Sequence, residues 1–191
     1  MITSSNIDLS PDQLSVRSLI QFLKELENLY NHIGEYLLSA NETISTAESV
    51  TSGLLQFSFS QMKDASKFFK GGLTAYTLEE KVSLLKVDQA EAWYCDCVSP
   101  NIADSMAVNV SKLFKTDWSI AVTGYATPVE ESKEELYAFF SIAYKGDIVL
   151  SQKLELHSRT QSINAQLYYS EFILSCFKLE LEKQKEKKSG Y

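Results

Sequence analysis

Apolar residues return every three or four positions at Leu19, Phe22, Leu23, Leu26, Leu29, Tyr30, Ile33 and Leu37, which draws one greasy stripe along a long packing helix. Ser15 is placed to cap that helix and the polar run Ser39 to Glu42 to end it, while residues 1–13 carry Pro11, show no periodicity and read as a loose arm. The pattern then changes period. Thr43 to Thr46 starts a strand, the small residues Ala47 to Gly53 make a turn, and Leu54 to Phe59 continue as a helix that Lys63 to Ser66 breaks. Gly71-Gly72 gives a tight entry into a short strand, Leu73 to Tyr76. Thr77 caps the next helix at a capping-box distance from Glu80, with Glu79 where the helix dipole favours a carboxylate.

A small helix over Gln89 to Tyr94 follows. Ser99-Pro100 then opens a helix reaching about Phe114, with Ile102, Met106, Val108 and Leu113 as its core stripe. Trp118 to Thr123 reads as a strand stopped by Gly124, and Tyr125 to Glu135 as a polar, acid-rich loop. Leu136 to Tyr144 and Ile148 to Leu156, joined by Lys145-Gly146-Asp147, have the form of a hairpin. The last helix, about Gln161 to Lys183, has Ile163, Leu167, Phe172, Ile173, Phe177 and Leu181 on its buried stripe, and the charged tail, 184–191, is expected to fray. Helices alternate with strands before a closing hairpin, so the expected fold is α/β, a mixed sheet covered by helices, in a single domain over 14–183.

Composition narrows the partners. The chain has 191 residues, 45% of them hydrophobic and 23% charged, as an ordinary globular domain has. Its net charge is −7 and Arg17 and Arg159 are its only arginines, which argues against nucleic acid and for a small ligand. No apolar run is long enough to span a membrane, and the first residues lack the basic flank and apolar core of a signal peptide, so a cytoplasmic protein is expected. Cys95, Cys97 and Cys176, with His32 and His157, offer no metal-ligand spacing, so no metal and no cofactor is expected. The aromatic content and the apolar long helix permit a homo-oligomer.

Candidate chemistry gathers where strands end. Taken alone, Ser49 reads as a helix cap, Lys81 as a surface lysine, Tyr76 as a strand aromatic, Thr123 as a β-former and Ser66 as a turn residue. Together they say more. Ser49, Tyr76 and Thr123 each close a predicted strand and Lys81 opens the helix after one, so the four converge at one edge of the sheet. A serine beside a desolvated lysine is a nucleophile activated without histidine.

These residues resemble a known family. Thr46-Ala47-Glu48-Ser49-Val50-Thr51-Ser52-Gly53-Leu54 is similar to the TAESCTGG signature of the carboxy-terminal domain of the competence/damage-inducible CinA proteins, the nicotinamide mononucleotide amidohydrolases. Gly72 to Lys81 resembles that family's G-x-V-x-YSNEAK segment, Asp64-Ala65-Ser66 its GSS-like turn, Val98-Ser99 its AVS and Val122 to Ala126 its (V/I)TGIAGP. The resemblance covers about residues 15–180. It implies a three-layer α/β/α sandwich that deamidates nicotinamide mononucleotide to nicotinic acid mononucleotide and ammonia in NAD recycling. It further implies Ser49 as nucleophile, Lys81 as base, Tyr76 and Ser66 as supporting catalytic hydroxyls, and Thr123, Gly124, Thr51 and Arg159 at the substrate. Val50 and Ser52 stand where the family has cysteine and glycine, and Thr127 to Ser132, with Glu130 and Glu131, replaces a glycine-rich GPGGGS-type loop. That acidic loop motivates the alternative expectation, a catalytically silent nucleotide-binding or interaction module on the same fold.

Overall fold

The computed structural model describes residues 11–190. Helix α1 (Pro11–Ala40) leads into strand β1 (Ile44–Glu48), helix α2 (Leu54–Ser60) and strand β2 (Phe69–Thr74). Helices α3 (Leu78–Leu85), α4 (Gln89–Tyr94) and α5 (Pro100–Phe114) precede β3 (Trp118–Gly124), the hairpin β4 (Leu136–Tyr144) and β5 (Asp147–Leu156), and α6 (Ser162–Ser189). The five strands form one sheet in the order β2-β1-β3-β4-β5. β1 runs parallel to both β2 and β3, and the hairpin strands are antiparallel, which makes the sheet mixed.

Alternation along the strands divides two cores. Ile44 of β1 and Trp118, Ile120 and Val122 of β3 join Ile33, Leu37, Phe59, Ile173 and Phe177 from α1, α2 and α6. Ala47, Ala121 and Ala143, on the other face, pack against Met106, Ala107 and Val110 of α5. The face under α5 is built from small residues, so that helix lies close, and the hydroxyls of Ser45 and Ser119 donate to the α5 carbonyls of Val110 and Ala107. A three-layer α/β/α sandwich results, as the family resemblance implies.

β1 is the turning point of the sheet. The chain crosses to β2 on one side of it and later to β3 on the other, and in such sheets the crevice at the carboxyl ends of the central strands receives the ligand.

Several elements differ from the sequence reading, each for a local reason. α1 already includes Pro11 to Gln13, so Ser15 lies inside the helix rather than at its cap; proline is favoured in a first turn because its missing N–H has no partner there anyway. Residues 1–10 of the expected arm, and the side chains of Leu19 and Phe22, lie outside the described residues. β2 starts at Phe69 rather than Leu73, and the two glycines sit inside the strand. A Cβ on Gly72 would fall 2.2 Å from Thr46 Oγ1 and 2.8 Å from the Thr46 carbonyl oxygen, so close packing, not turning, demands it. Ile163, Leu167 and Leu113 are half exposed; the buried faces of α6 and α5 use Ala165 with Tyr169, and Ala107 with Val110, instead.

The tail expected to fray is helical through Ser189. Lys188 Nζ donates to Glu42 Oε1 at 2.7 Å, and the same buried carboxylate accepts from Tyr144 Oη at 2.7 Å and Trp118 Nε1 at 2.8 Å. Burial pushes the Glu42 carboxyl up, but the hydrogen bonds from Lys188, Tyr144 and Trp118 outweigh it and hold the group below its ordinary value. For Lys188 burial works downward, and the hydrogen bond to Glu42 leads the causes that raise the amine above its ordinary value. Glu42 therefore contributes stability that is present above 4.5 and lost as pH falls through its lowered folded value. Lys188 contributes stability that is present below 10.5 and lost as pH rises through its raised one. Replacing Glu42→Ala strands the fully buried indole N–H of Trp118, and chemical denaturation is expected to show a loss of about 2 kcal/mol at pH 7 that shrinks on acidification.

Candidate functional site

The turn after β1 is built around one carboxylate. Glu48, fully buried, accepts from Thr51 Oγ1 at 2.7 Å, from the backbone N–H groups of Gly53 at 2.9 Å and Leu55 at 3.1 Å, and from Gln56 N–H at 2.8 Å. These N–H groups open α2 and lack partners within the helix, so the carboxylate caps it from the preceding strand. Ser52 at φ 51° and Gly53 at φ 101° let the chain double back, while Ser49 N–H donates to the Val122 carbonyl at 3.1 Å and keeps the serine in line with β3. Gln166 of α6 holds the far side of the turn by donating to the Val50 carbonyl at 2.8 Å.

Lys81 lies on the first turn of α3, which Thr77 caps by accepting from Glu80 N–H. That helix begins just beyond the carboxyl end of β2, beside β1. Lys81 is 2% exposed, and its amine donates to Ser49 Oγ at 2.9 Å and to the Tyr76 carbonyl oxygen at 3.1 Å. Burial lowers its affinity for a proton below the ordinary lysine value, opposed by the nearby Cys97 and Asp96. A lysine whose proton affinity is lowered in this way is chemically able to take a proton from the hydroxyl it touches.

Ser49 and Lys81 open onto a cavity of about 500 Å³ whose wall includes Tyr76, Asp96, Cys97, Thr123, Gly124, Tyr125, Glu131 and Gln166. Between the bonded N–H groups of Ser49 and Ser52, those of Val50 and Thr51 make no hydrogen bond among the described residues. Thr123 is fully buried and its hydroxyl donates to the Cys97 carbonyl at 2.8 Å, leaving it only lone pairs to offer. The Tyr76 ring is 67% exposed at the rim, and what the residue gives the site is its backbone carbonyl.

Three sequence-derived assignments move. Ser66 is exposed in a short 3-10 turn, Ala65–Lys67, ahead of β2; because β2 runs parallel to β1, it lies at the opposite edge of the sheet, about 20 Å of strand from Ser49. Arg159 is exposed in the turn before α6, its N–H donating to His157 Nδ1, and is not part of the cavity wall. Thr51 is fully buried with its hydroxyl spent on Glu48, so it shapes the turn without reaching the cavity. Gly124 does line the cavity, but its lack of a side chain answers to β4, since a Cβ there would fall 2.5 Å from Ala138 Cα. Sequence reasoning passed over Glu48, Asp96, Cys97 and Gln166. For Glu48 a signal existed, a carboxylate just ahead of a serine/threonine turn that enters a helix; the others depend on tertiary placement.

The buried serine and lysine meet at the carboxyl edge of the central strands of a mixed α/β sheet, and comparison with known proteins gives the lineage of that sheet. Residues 26–173 match the model of the CinA C-terminal domain, and the chain belongs to that family. A CinA-like protein of Flavobacterium psychrophilum is 37% identical over 116 residues, 61% of this chain and 28% of that one. One from Synechocystis is 34% identical over 121 residues, 63% of this chain and 29% of its own length. The matched region thus spans less than a third of these two relatives. Among solved structures, a CinA superfamily protein of Klebsiella pneumoniae superposes with TM-score 0.75 at 20% identity, covering 83% of this chain and 98% of the other. The corresponding Escherichia coli protein gives 0.73 at 25% identity, covering 82% and 89%.

Burying an amine has a cost that stability measurements can read. The unfolded chain holds the Lys81 proton more tightly than the folded one, so stability declines as pH falls from 10.5 toward the lowered folded value. Lys81→Met is expected to melt at or above the parent at pH 7 and to lose that alkaline rise. Glu48→Ala leaves the donors it served without a partner and is expected to cost about 3 kcal/mol or more in urea unfolding.

Proposed function

We propose that the chain is a serine/lysine amidohydrolase that removes the carboxamide nitrogen of an N-ribosylated nicotinamide, with nicotinamide mononucleotide as the reference substrate. The observation that carries this reading is the 2.9 Å contact between Ser49 Oγ and the buried, deprotonation-prone amine of Lys81. Membership of the CinA C-terminal domain family supports it.

In this mechanism neutral Lys81 takes the Ser49 proton as Oγ attacks the carboxamide carbon. Negative charge collects on the former carbonyl oxygen, and the N–H of Val50, a cavity-wall residue, is the unbonded donor nearest the nucleophile in the chain. The lysine ammonium then protonates the departing nitrogen, the C–N bond breaks and ammonia leaves an ester on Ser49. Water attacks that ester, gives a proton to Lys81 and frees the carboxylate; the proton returns to Ser49. No step requires histidine.

A silent module on the same fold is the competing reading, favoured by Glu131 on the cavity wall. Ammonia release separates the two. Purified protein is expected to liberate ammonia from nicotinamide mononucleotide or its riboside, with kcat/KM falling by about 10²–10⁴-fold in Lys81→Met and at least as far in Ser49→Ala; release equal to the blank from every N-ribosylated nicotinamide tried defeats the proposal. Because the neutral amine is the working form, rate is expected to climb with pH along a limb centred below 10.5. Asp96→Asn is expected to move that limb to lower pH, since the Asp96 carboxylate is one of the groups holding the amine's proton on.

A further inference from the structure

The cavity carries an unbalanced charge. Asp96 and Glu131 both stand on its wall, and neither pairs with a cation among the described residues. Lys81 is the one lysine or arginine on that wall, and it is engaged with Ser49 and works in its neutral form. Tyr125 senses the field: burial raises the affinity of its hydroxyl for its proton, and the hydrogen bond to Asp96 at 3.0 Å, with the charges of Asp96 and Glu131, raises it further.

One wall feature works the other way. α6 reaches the cavity at Ser162, and Gln161 offers no side-chain cap to its first N–H groups. That terminus is equivalent to roughly half a positive charge and acts within one turn. Two whole carboxylates exceed it.

Resting on the amidohydrolase reading, we infer that Asp96 and Glu131 make substrate charge the specificity determinant of this cavity, selecting a cationic pyridinium nucleoside without a phosphate over its phosphorylated counterpart. The pyridinium ring brings one positive charge next to the scissile carboxamide. A phosphate monoester adds about two negative charges and turns the attraction into repulsion, while a neutral ring gains nothing.

The test measures ammonia release from nicotinamide riboside, its neutral dihydro form and nicotinamide mononucleotide at low ionic strength, with thermal shift of Ser49→Ala by the same three compounds as a binding readout. The expected kcat/KM order is riboside, dihydro form, mononucleotide, with riboside ahead of mononucleotide by about ten-fold, narrowing as salt is added. Asp96→Asn combined with Glu131→Gln is expected to bring the ratio close to unity; both changes keep shape, and asparagine still accepts from Tyr125. Equal or better turnover of the mononucleotide by the parent, or an unchanged ratio in the double variant, overturns the inference while leaving the amidohydrolase intact. Ammonia from none of the three compounds defeats the amidohydrolase reading instead, and the thermal shifts then decide the charge preference: stabilisation by riboside over mononucleotide sustains it, and the reverse or equal shifts overturn it.

Discussion

Everything chemical in this molecule depends on Glu48 being buried as an acceptor. Four donors close on its carboxylate, and in doing so they fix where β1 stops, how tightly the chain reverses and where α2 begins. Ser49 is the next residue along. Its position is thus set by the backbone on either side of it rather than by contacts of its own hydroxyl, which remains available to Lys81. A polar group buried with all its partners is rigid, because any displacement leaves several of them without a bond.

The second requirement is that the lysine be dry. The small residues Ala47, Ala75 and Ala121 share one core with Leu85 of α3, and the amine of Lys81 is held inward by the Tyr76 carbonyl. The same compactness explains two glycines. Gly72 lets β2 lie against Thr46 from outside the cavity, and Gly124, on the cavity wall, lets β3 lie against Ala138. Residues that look like ligand contacts in a motif are here parts of the frame.

Much of this was legible in the linear pattern. Capping residues marked α3 and α5 closely, because Thr77 and Ser99 each accept from an N–H three residues on. Ser49, Lys81 and Thr123 could be placed at one sheet edge because strand ends and helix starts were readable. The failures share a cause. Ser66 rests on the motif resemblance alone, and because β2 begins at Phe69 rather than Leu73 it precedes that strand at its far end. Arg159 and Thr51 were assigned from motif alone, and no local pattern reveals that one faces solvent while the other spends its hydroxyl on Glu48. Helix α6 continues past the expected boundary because Glu42, 146 residues earlier, awaits Lys188.

That last bond has a temporal side. During synthesis the shoulder ahead of β1 is made 146 residues before the cation that neutralises its carboxylate. The pairing therefore closes a loop of 146 residues, and the closure entropy of so long a loop has to be met before the bond forms. A chain held before α6 is made leaves Glu42 without its cation and bares the core residues that Ile173, Phe177 and Leu181 cover, the kind of apolar surface that chaperones engage.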